Sequence, residues 1–315
     1  MMTVLLSAAF FTIGLYLTMR GGDGFVDAAA QLAEESGAPR FVVGATLMSV
    51  CTTLPELMVS VLATMRGASA LAVGNAVGSA ACNTGLILGM SALLAPAAFR
   101  MREARSKGGL MIAAAILLGC FLEDGTMQPG EALGLLAVLF AFLAVNLQSA
   151  AGETAETVPV QHGKGRAALW IHFFLGGMAV VLGARLMVDH GVTLARMLGI
   201  PESIVGLTLV ALGTSLPELM TALAAIRRRE GALSVGNIVG ANVLDLALVL
   251  PACTAADCGG VLSVAPEVFL RDLPFTVVLM GIAMLPPMFS GRMRRVQGVL
   301  LLGVYGWYLF CLVGG

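Results

Sequence analysis

The chain has 315 residues, of which 58% are hydrophobic and 12% charged, with a net charge of −1 and a mean hydropathy of +0.93. Soluble domains carry about 25% charged residues, so this composition excludes a water-soluble globule. The near-neutral balance also leaves no basic field for nucleic acid.

In chain order, apolar runs centre on 3–19, 41–65, 70–95, 108–122, 132–149, 167–187, 203–226, 232–255, 272–289 and 296–313. Each has roughly the 17–25 residues that a bilayer requires, the shortest once their ends are extended. Open sheets cannot exist in lipid, and barrel strands would alternate polar with apolar residues. These runs do not alternate. The expected fold class is all-α, a polytopic membrane protein with ten transmembrane helices. The first run has no basic residues before it and no A-x-A site leading to a polar mature domain, so it reads as span 1 and not a signal peptide. Cys51, Cys82, Cys120, Cys253, Cys258 and Cys311 show no CxxC spacing and read as small buried hydrophobes.

Basic residues orient the spans. With the N-terminus outside, the inner loops hold Arg20, Arg40, Arg100, Arg102, Arg105, Lys107, Lys164, Arg166, Arg227, Arg228, Arg229, Arg292, Arg294 and Arg295. Only Arg66, Arg185, Arg196 and Arg271 remain outside. Both termini are therefore expected to face out.

The sequence repeats at an interval of 162. Over 44–88 against 206–250, twenty of forty-five positions are identical, among them Thr52/Thr214, Pro55/Pro217, Glu56/Glu218, Gly74/Gly236, Asn75/Asn237 and Gly78/Gly240. The pairing continues upstream through Gly37/Gly199 and Pro39/Pro201. This predicts a first five-helix repeat over 1–150, a polar cytoplasmic linker over 151–166 and a second five-helix repeat over 167–315. Five is odd, so the halves cross in opposite senses. That is an inverted-topology 5+5 repeat, the architecture of secondary transporters with a site at the bilayer midplane.

The repeat carries C-T-T-L-P-E-L-M (51–58) and G-T-S-L-P-E-L-M (213–220). A proline inside a span removes a donor and frees a carbonyl of the preceding turn, which in lipid must find a partner or line a polar cavity. Ser49, Thr52 and Thr53 precede Pro55; Ala211, Thr214 and Ser215 precede Pro217. Each break thus offers carbonyls, hydroxyls and, one step later, the carboxylate of Glu56 or Glu218, an all-oxygen set suited to hard cations. Spans 3 and 8 carry A-V-G-N-A-V-G-S-A-A-C-N (72–83) and S-V-G-N-I-V-G-A-N-V-L-D (234–245). Their paired glycines are expected to let another helix approach, and Asn75 and Asn237 to bond carbonyls exposed by the opposite break. Ser79 lies one turn before Asn83, as Ala241 lies one turn before Asp245. Packing spans 2, 3, 7 and 8 together would bring Glu56, Glu218, Asp245 and Asn83 to one point.

An ionisable group at mid-span costs about 2.5–3.5 kcal/mol, and no mid-span Lys or Arg offsets these three acids. Bound cations or a proton must neutralise them. A divalent ion takes about six to eight oxygens; two bidentate glutamates supply four, and the carbonyls of Thr52 and Thr214 complete six. Taken singly, a glutamate near a helix end is as readily a capping group and a proline a kink. The doubled, inverted motif with a third acid at the matching point of span 8 argues for function. Asn75 and Asn237 read as structural. Arg185 and Asp189 read as a helix-face pair, His172 as a buried polar contact, and Arg227, Arg228 and Arg229 as solvated charge.

At these residues the sequence resembles the sodium/calcium exchanger family, whose repeats have G-T-S-x-P-E followed by G-N-x-x-G-S/A-N-x-x-N/D. The resemblance implies a ten-helix fold, exchange of Na+ for Ca2+ at one central site, and alternating access by sliding of the span 1 and span 6 pair. By motif position it implies Ca2+ held by Glu56 and Glu218 with the Thr52 and Thr214 carbonyls. Na+ would share those carboxylates with the hydroxyls of Ser79, Thr53 and Ser215 and the carbonyls of Ser49 and Ala211. Asp245 and Asn83 would fill the middle. The sequence departs from the pattern at Thr53 for serine, at Ala80 for the asparagine of the first G-S-N, and at Ala241, where a hydroxyl can stand.

The alternatives are a Ca2+/H+ antiporter, in which acids alone would carry protons, and a potassium-dependent exchanger. Intramembrane hydrolysis is disfavoured, since no G-x-G-D, H-E-x-x-H or G-x-S-x-G falls in a span. A passive channel would not require two broken, inverted, acid-bearing helices. No enzyme activity and no cofactor are expected, only the transported ions. The expected partners are Na+, Ca2+ and the bilayer, with no nucleic acid; the sequence does not address oligomeric state.

Overall fold

The computed structural model describes residues 2–35, 48–96, 98, 101–151, 165–199, 201–227 and 231–314, nearly all of them helical. In chain order the helices are α1 (Met2–Glu35), α2 (Met48–Thr52), α3 (Leu54–Met65), α4 (Ser69–Leu94), α5 (Met101–Asp124) and α6 (Pro129–Ala151). There follow α7 (Arg166–Leu198), α8 (202–214), α9 (Leu216–Arg227), α10 (231–256), α11 (Val268–Ser290) and α12 (Arg295–Gly314). Among the described residues eight helices are long and apolar enough to cross a membrane, and a bent pair over Gly206–Thr214 and Leu216–Leu223 makes a ninth. Where the remaining expected span, 41–65, falls, the described residues form α2 and the shorter apolar helix α3. The first part of that span, 41–47, lies outside the described residues, as do Arg40, Arg100, Lys164, Arg228, Arg229 and the linker over 152–164.

The 162-residue interval recurs in the elements. Leu54–Met65 maps onto Leu216–Arg227, and Ser69–Cys82 onto Gly231–Leu244. The helix widens into a π turn at Asn83–Leu88 and again at Asp245–Val249.

α1 and α7, of 34 and 33 residues, are each about 50 Å long at 1.5 Å per residue, well beyond the roughly 30 Å hydrocarbon core. The first outlasts its expected span, 3–19, because the helix continues through Gly21-Gly22-Asp23-Gly24. The cause is close packing on α7. A Cβ on Gly21 would lie 2.7 Å from Ala179 Cβ, and one on Gly14 would lie 2.7 Å from the Gly183 carbonyl oxygen. The residues that read as a loop are among those that let the helices touch.

α4 and α10 form the centre, with 78% and 83% of their apolar stretches buried, against 28% for α1 and for α7. The paired-glycine expectation holds at Gly78, where a Cβ would meet the Leu207 backbone at 2.7 Å, and at Gly240, where it would meet Ser49 Oγ at 2.6 Å. It fails at Gly236, which is exposed with nothing within 4 Å. Short pairings tie the loops: β1 (Thr126–Met127) runs antiparallel to β2 (Leu262–Ser263), and Ala98 bridges Arg292. Both join loops that the basic-residue pattern assigns to a common side.

Two expectations are corrected, at His172 and Cys120 by the direction in which a helix face points and at Cys258 by its place in the turn after α10. His172 is exposed, on the outer face of α7, and its Nδ1 bonds the Ala168 carbonyl. Cys120 and Cys258 are exposed, while Cys82 and Cys253 are buried. Arg185 and Asp189 do pair along α7, at 3.8 Å, and Asp189 also pairs with Arg66 at the end of α3.

Candidate ion-binding site

Both breaks have the same local cause. Thr53, at φ −82 and ψ −5, ends α2, and Ser215, at φ −81 and ψ 7, ends α8. Pro55 and Pro217 then bring no N–H to the carbonyls of Cys51 and Gly213. The chain bends by 51° at the second break. The carbonyls of Ser49 and Ala211 each accept two bonds within their own turn. Ser49 takes the Thr53 N–H at 3.0 Å and the Thr52 hydroxyl at 3.3 Å; Ala211 takes the Ser215 N–H at 3.0 Å and the Thr214 hydroxyl at 3.3 Å. With both lone pairs occupied, these carbonyls can face an ion only after those hydroxyls turn away.

The breaks point the carboxylates inward. Glu56, Glu218, Asp245, Asn83, Thr52, Thr53, Thr214, Ser215, Ser79, Ser49 and Ala211 are all buried. Contacts cross between the two halves of the chain. Ser215 Oγ donates to Glu56 Oε1 at 3.3 Å, and Asn83 Nδ2 donates to Asp245 Oδ2 at 3.3 Å, between residues 162 apart. Glu218 lies within reach of the charges of Glu56 and Asp245. Among the described residues no salt bridge reaches any of the three acids.

Among the described residues, seven buried oxygens here have no hydrogen-bond partner: Thr53 Oγ1, Glu56 Oε2, Ser79 Oγ, Asn83 Oδ1, both Glu218 oxygens and Asp245 Oδ1. Native interiors leave only a few polar atoms unpaired, and a gathering of carboxylate, amide and hydroxyl oxygens is the kind of ligand set that hard cations take. Among the described residues no three His, Cys, Asp or Glu side chains converge as a ready ion cage. A cation here would draw on hydroxyl, amide and main-chain oxygens as much as on carboxylates.

Asn75 works differently from expectation. Its Nδ2 bonds Ser60 Oγ at 2.9 Å and the Glu56 carbonyl at 3.4 Å, both in its own half. Only its Oδ1 reaches across, accepting from the Thr214 hydroxyl at 3.2 Å. Asn237 donates to Thr221 Oγ1 at 3.0 Å, also within its own half. Each amide ties its helix to the helix before it and so fixes the angle of the break. Asn242 is a polar group that the sequence reading passed over. It is buried, donates to Thr84 Oγ1 at 2.7 Å and keeps Oδ1 unpartnered. Its signal was its place in G-A-N, three residues before Asp245, opposite Ala80 of the first repeat.

The family model described as sodium/calcium exchanger protein matches residues 6–148 and 168–314. The inner membrane protein YrbG of Escherichia coli (strain K12) is 35% identical over 312 residues, covering 95% of this chain and 94% of its own. The sodium/calcium exchanger MaX1 of Methanosarcina acetivorans is 29% identical, covering 95% and 96%. A solved structure of the sodium-calcium exchanger NCX_Mj, soaked with Na+ and Sr2+, superposes with a TM-score of 0.67 at 29% identity, covering 97% of this chain and 98% of that one. The chain is thus a multi-pass membrane protein that belongs to the sodium/calcium exchanger family.

Proposed function

We propose that the chain exchanges Na+ for Ca2+ across the membrane by alternating access at the cluster of Glu56, Glu218, Asp245 and Asn83. The observation that carries this is the mixture of unpartnered oxygens, in which Thr53 Oγ1, Ser79 Oγ and Asn83 Oδ1 accompany the carboxylates. Proton carriage would need the acids alone; Na+ coordination uses neutral oxygens as well. Glu56 and Glu218 would hold Ca2+ with the Thr52 and Thr214 carbonyls. Na+ would share those carboxylates with Thr53, Ser215 and Ser79 and with the Ser49 and Ala211 carbonyls. The role is transport, with no chemical step and no cofactor.

The reading includes the frame. Two five-helix repeats, 1–150 and 167–315, would be joined by a cytoplasmic linker at 151–166, with both termini outside. The recurrence of elements at an interval of 162 and the basic residues of the inner loops support it. Empty, the three acids would leave uncompensated charge at the midplane, opposing movement; loaded with either ion they are neutralised. Exchange without leak follows.

The test is Ca2+ flux from loaded liposomes containing the full chain, with the Na+ gradient, the K+/valinomycin potential and pH varied separately. Efflux should need Na+ or Ca2+ on the opposite side. If more than two Na+ enter per Ca2+, an inside-negative potential should accelerate it. Flux that ignores Na+ and follows the pH gradient alone would assign the chain to Ca2+/H+ antiport.

A further inference from the structure

We infer that Tyr305, on α12, is a positioning residue for the π turn that begins at Asn83, an inference that rests on the ion-site reading above. A π turn inside an α-helix is rare and locally unfavourable, so it persists where surrounding packing holds it. At Asn83–Leu88 that packing is visible. A Cβ added to Gly85, within the turn, would lie 2.6 Å from Tyr305 Cβ and 2.7 Å from its Cγ and Cδ2. The phenol ring therefore rests on bare backbone. α12 stays this close along the same side of α4: a Cβ on Gly89 would lie 3.0 Å from Leu302 Cγ, and one on Gly298 would lie 2.7 Å from the Gly89 carbonyl oxygen.

The ring is held in turn. Tyr305 is buried, and Tyr308, one turn further along α12, is fully buried against Phe275 with ring centroids 5.2 Å apart. That contact fixes the roll of α12 and hence the approach of Tyr305. The Tyr305 hydroxyl faces Cys82, the residue immediately before Asn83. What the brace protects is sensitive: the Asn83 Nδ2 to Asp245 Oδ2 bond, at 3.3 Å, is already past the usual N–H···O range, so a shift of a few tenths of an ångström breaks it. The brace is specific to this turn. Under the 162-residue shift Gly85 becomes Ala247 and Tyr305 becomes Leu143, so the matching turn at Asp245 has no ring on glycine.

The test is Na+-driven Ca2+ flux in liposomes with full-length protein bearing Tyr305→Phe, Tyr305→Ala, Gly85→Ala, or both alanine changes together. Residues in contact couple, so each alanine change alone should raise the Ca2+ concentration for half-maximal flux by about tenfold, with the maximal rate within about threefold of wild type. Tyr305→Phe keeps the ring and should stay within about threefold. In the double variant the ring contacts at 2.7 Å are gone, while the Cβ of residue 305 stays against the added methyl, so half-saturation should return in part. Changes that simply multiply in the double variant, or that fall on the maximal rate alone, would overturn the brace while leaving the exchange reading intact. If Gly85→Ala yields no folded protein, Tyr305→Leu decides by the same readout: a raised half-saturation supports the brace and an unchanged one overturns it. Wild-type protein without Na+-driven flux would overturn both readings.

Discussion

The paired helices α4 and α10 and the paired helices α1 and α7 are comparably apolar, yet they meet opposite surroundings. The first pair is largely buried and carries Asn75, Ser79, Asn83, Asn242 and Asp245 inward; the second leaves Leu5, Leu6, Ile171, Phe174 and Leu175 exposed. Hydrophobicity therefore does not decide which helix is central in a membrane protein, because lipid is as apolar as a leucine side chain. What decides is the combination of small residues, which permit close approach, with polar groups that must find partners away from lipid. Both pairs have the glycines. Among the described residues the rim pair buries no polar side chain beyond the hydroxyls of Ser7 and Thr18, whereas the central pair buries amides and a carboxylate.

The widest separation between the two regions is expected at the acids. Glu56→Gln or Glu218→Gln should lower Ca2+ transport by more than about a hundredfold, exceeding the loss usual for partners one shell further out. The protein should still insert and fold, since each change removes a mid-membrane charge that costs about 2.5–3.5 kcal/mol. Ca2+ uptake by liposomes, with folded protein quantified in parallel, checks this. Near-normal uptake by either variant would remove the proposed site.

Glycine sharpens the comparison at a smaller scale. Gly78→Ala forces a methyl against the Leu207 backbone, and overpacking of this kind costs about 1–3 kcal/mol. Gly24, inside α1, has nothing within 4 Å of its added Cβ, so Gly24→Ala should be neutral or stabilise by up to about 1 kcal/mol through helix propensity. The thermal unfolding temperature in detergent should fall for Gly78→Ala and hold or rise for Gly24→Ala. Equal shifts would mean that Gly24 is packed as closely as Gly78.

Much of the centre was legible in the sequence because its residues break a rule. A proline, a glutamate and an aspartate stand out in an oily run, and twenty identities at a fixed interval show that the rule is broken twice. What stayed hidden depends on direction or on long-range packing. Gly21 to Gly24 read as a loop because composition cannot show that Ala179 lies against Gly21. The π turns leave no periodic signal over so few residues. Asp272, buried and paired with Arg271 at 2.8 Å, lies at the start of α11 where a charge reads as an exposed end. His172 read as buried because a polar residue in a span normally avoids lipid, and its outward face is set by how α7 packs.

Within the centre, Ala241 tests whether one hydroxyl more completes an ion shell. It is buried at the position matching Ser79, whose Oγ is unpartnered. Ala241→Ser should lower the Na+ concentration for half-maximal flux by about fivefold, the equivalent of about 1 kcal/mol for one added polar contact. The Ca2+ dependence should change little. An unchanged Na+ dependence would mean that another oxygen already completes that shell.

The smallest effect is expected where the two regions are joined by charge. Arg66 follows the last turn of α3, its N–H bonded to the carbonyls of Leu62 and Ala63, and its guanidinium reaches Asp189 on α7. Asp189 is shared with Arg185, one turn earlier on the same helix, so removing Arg66 leaves the carboxylate a partner. The Arg66 and Asp189 side chains are 45% and 36% exposed, which places this pair among surface bridges worth about 0.2–1 kcal/mol and screened by salt. A double-mutant cycle with Arg66→Ala and Asp189→Asn should therefore return a coupling below about 1 kcal/mol at low salt that fades as ionic strength rises. Flux should stay within about fivefold of wild type, since RT ln 5 is close to the upper bound of about 1 kcal/mol for such a pair. A loss beyond about tenfold that persists at high salt would exceed what an exposed pair can supply. It would mean instead that this contact sets the seating of the long rim helix on the broken central one, and that centre and rim are coupled through charge as well as through glycine.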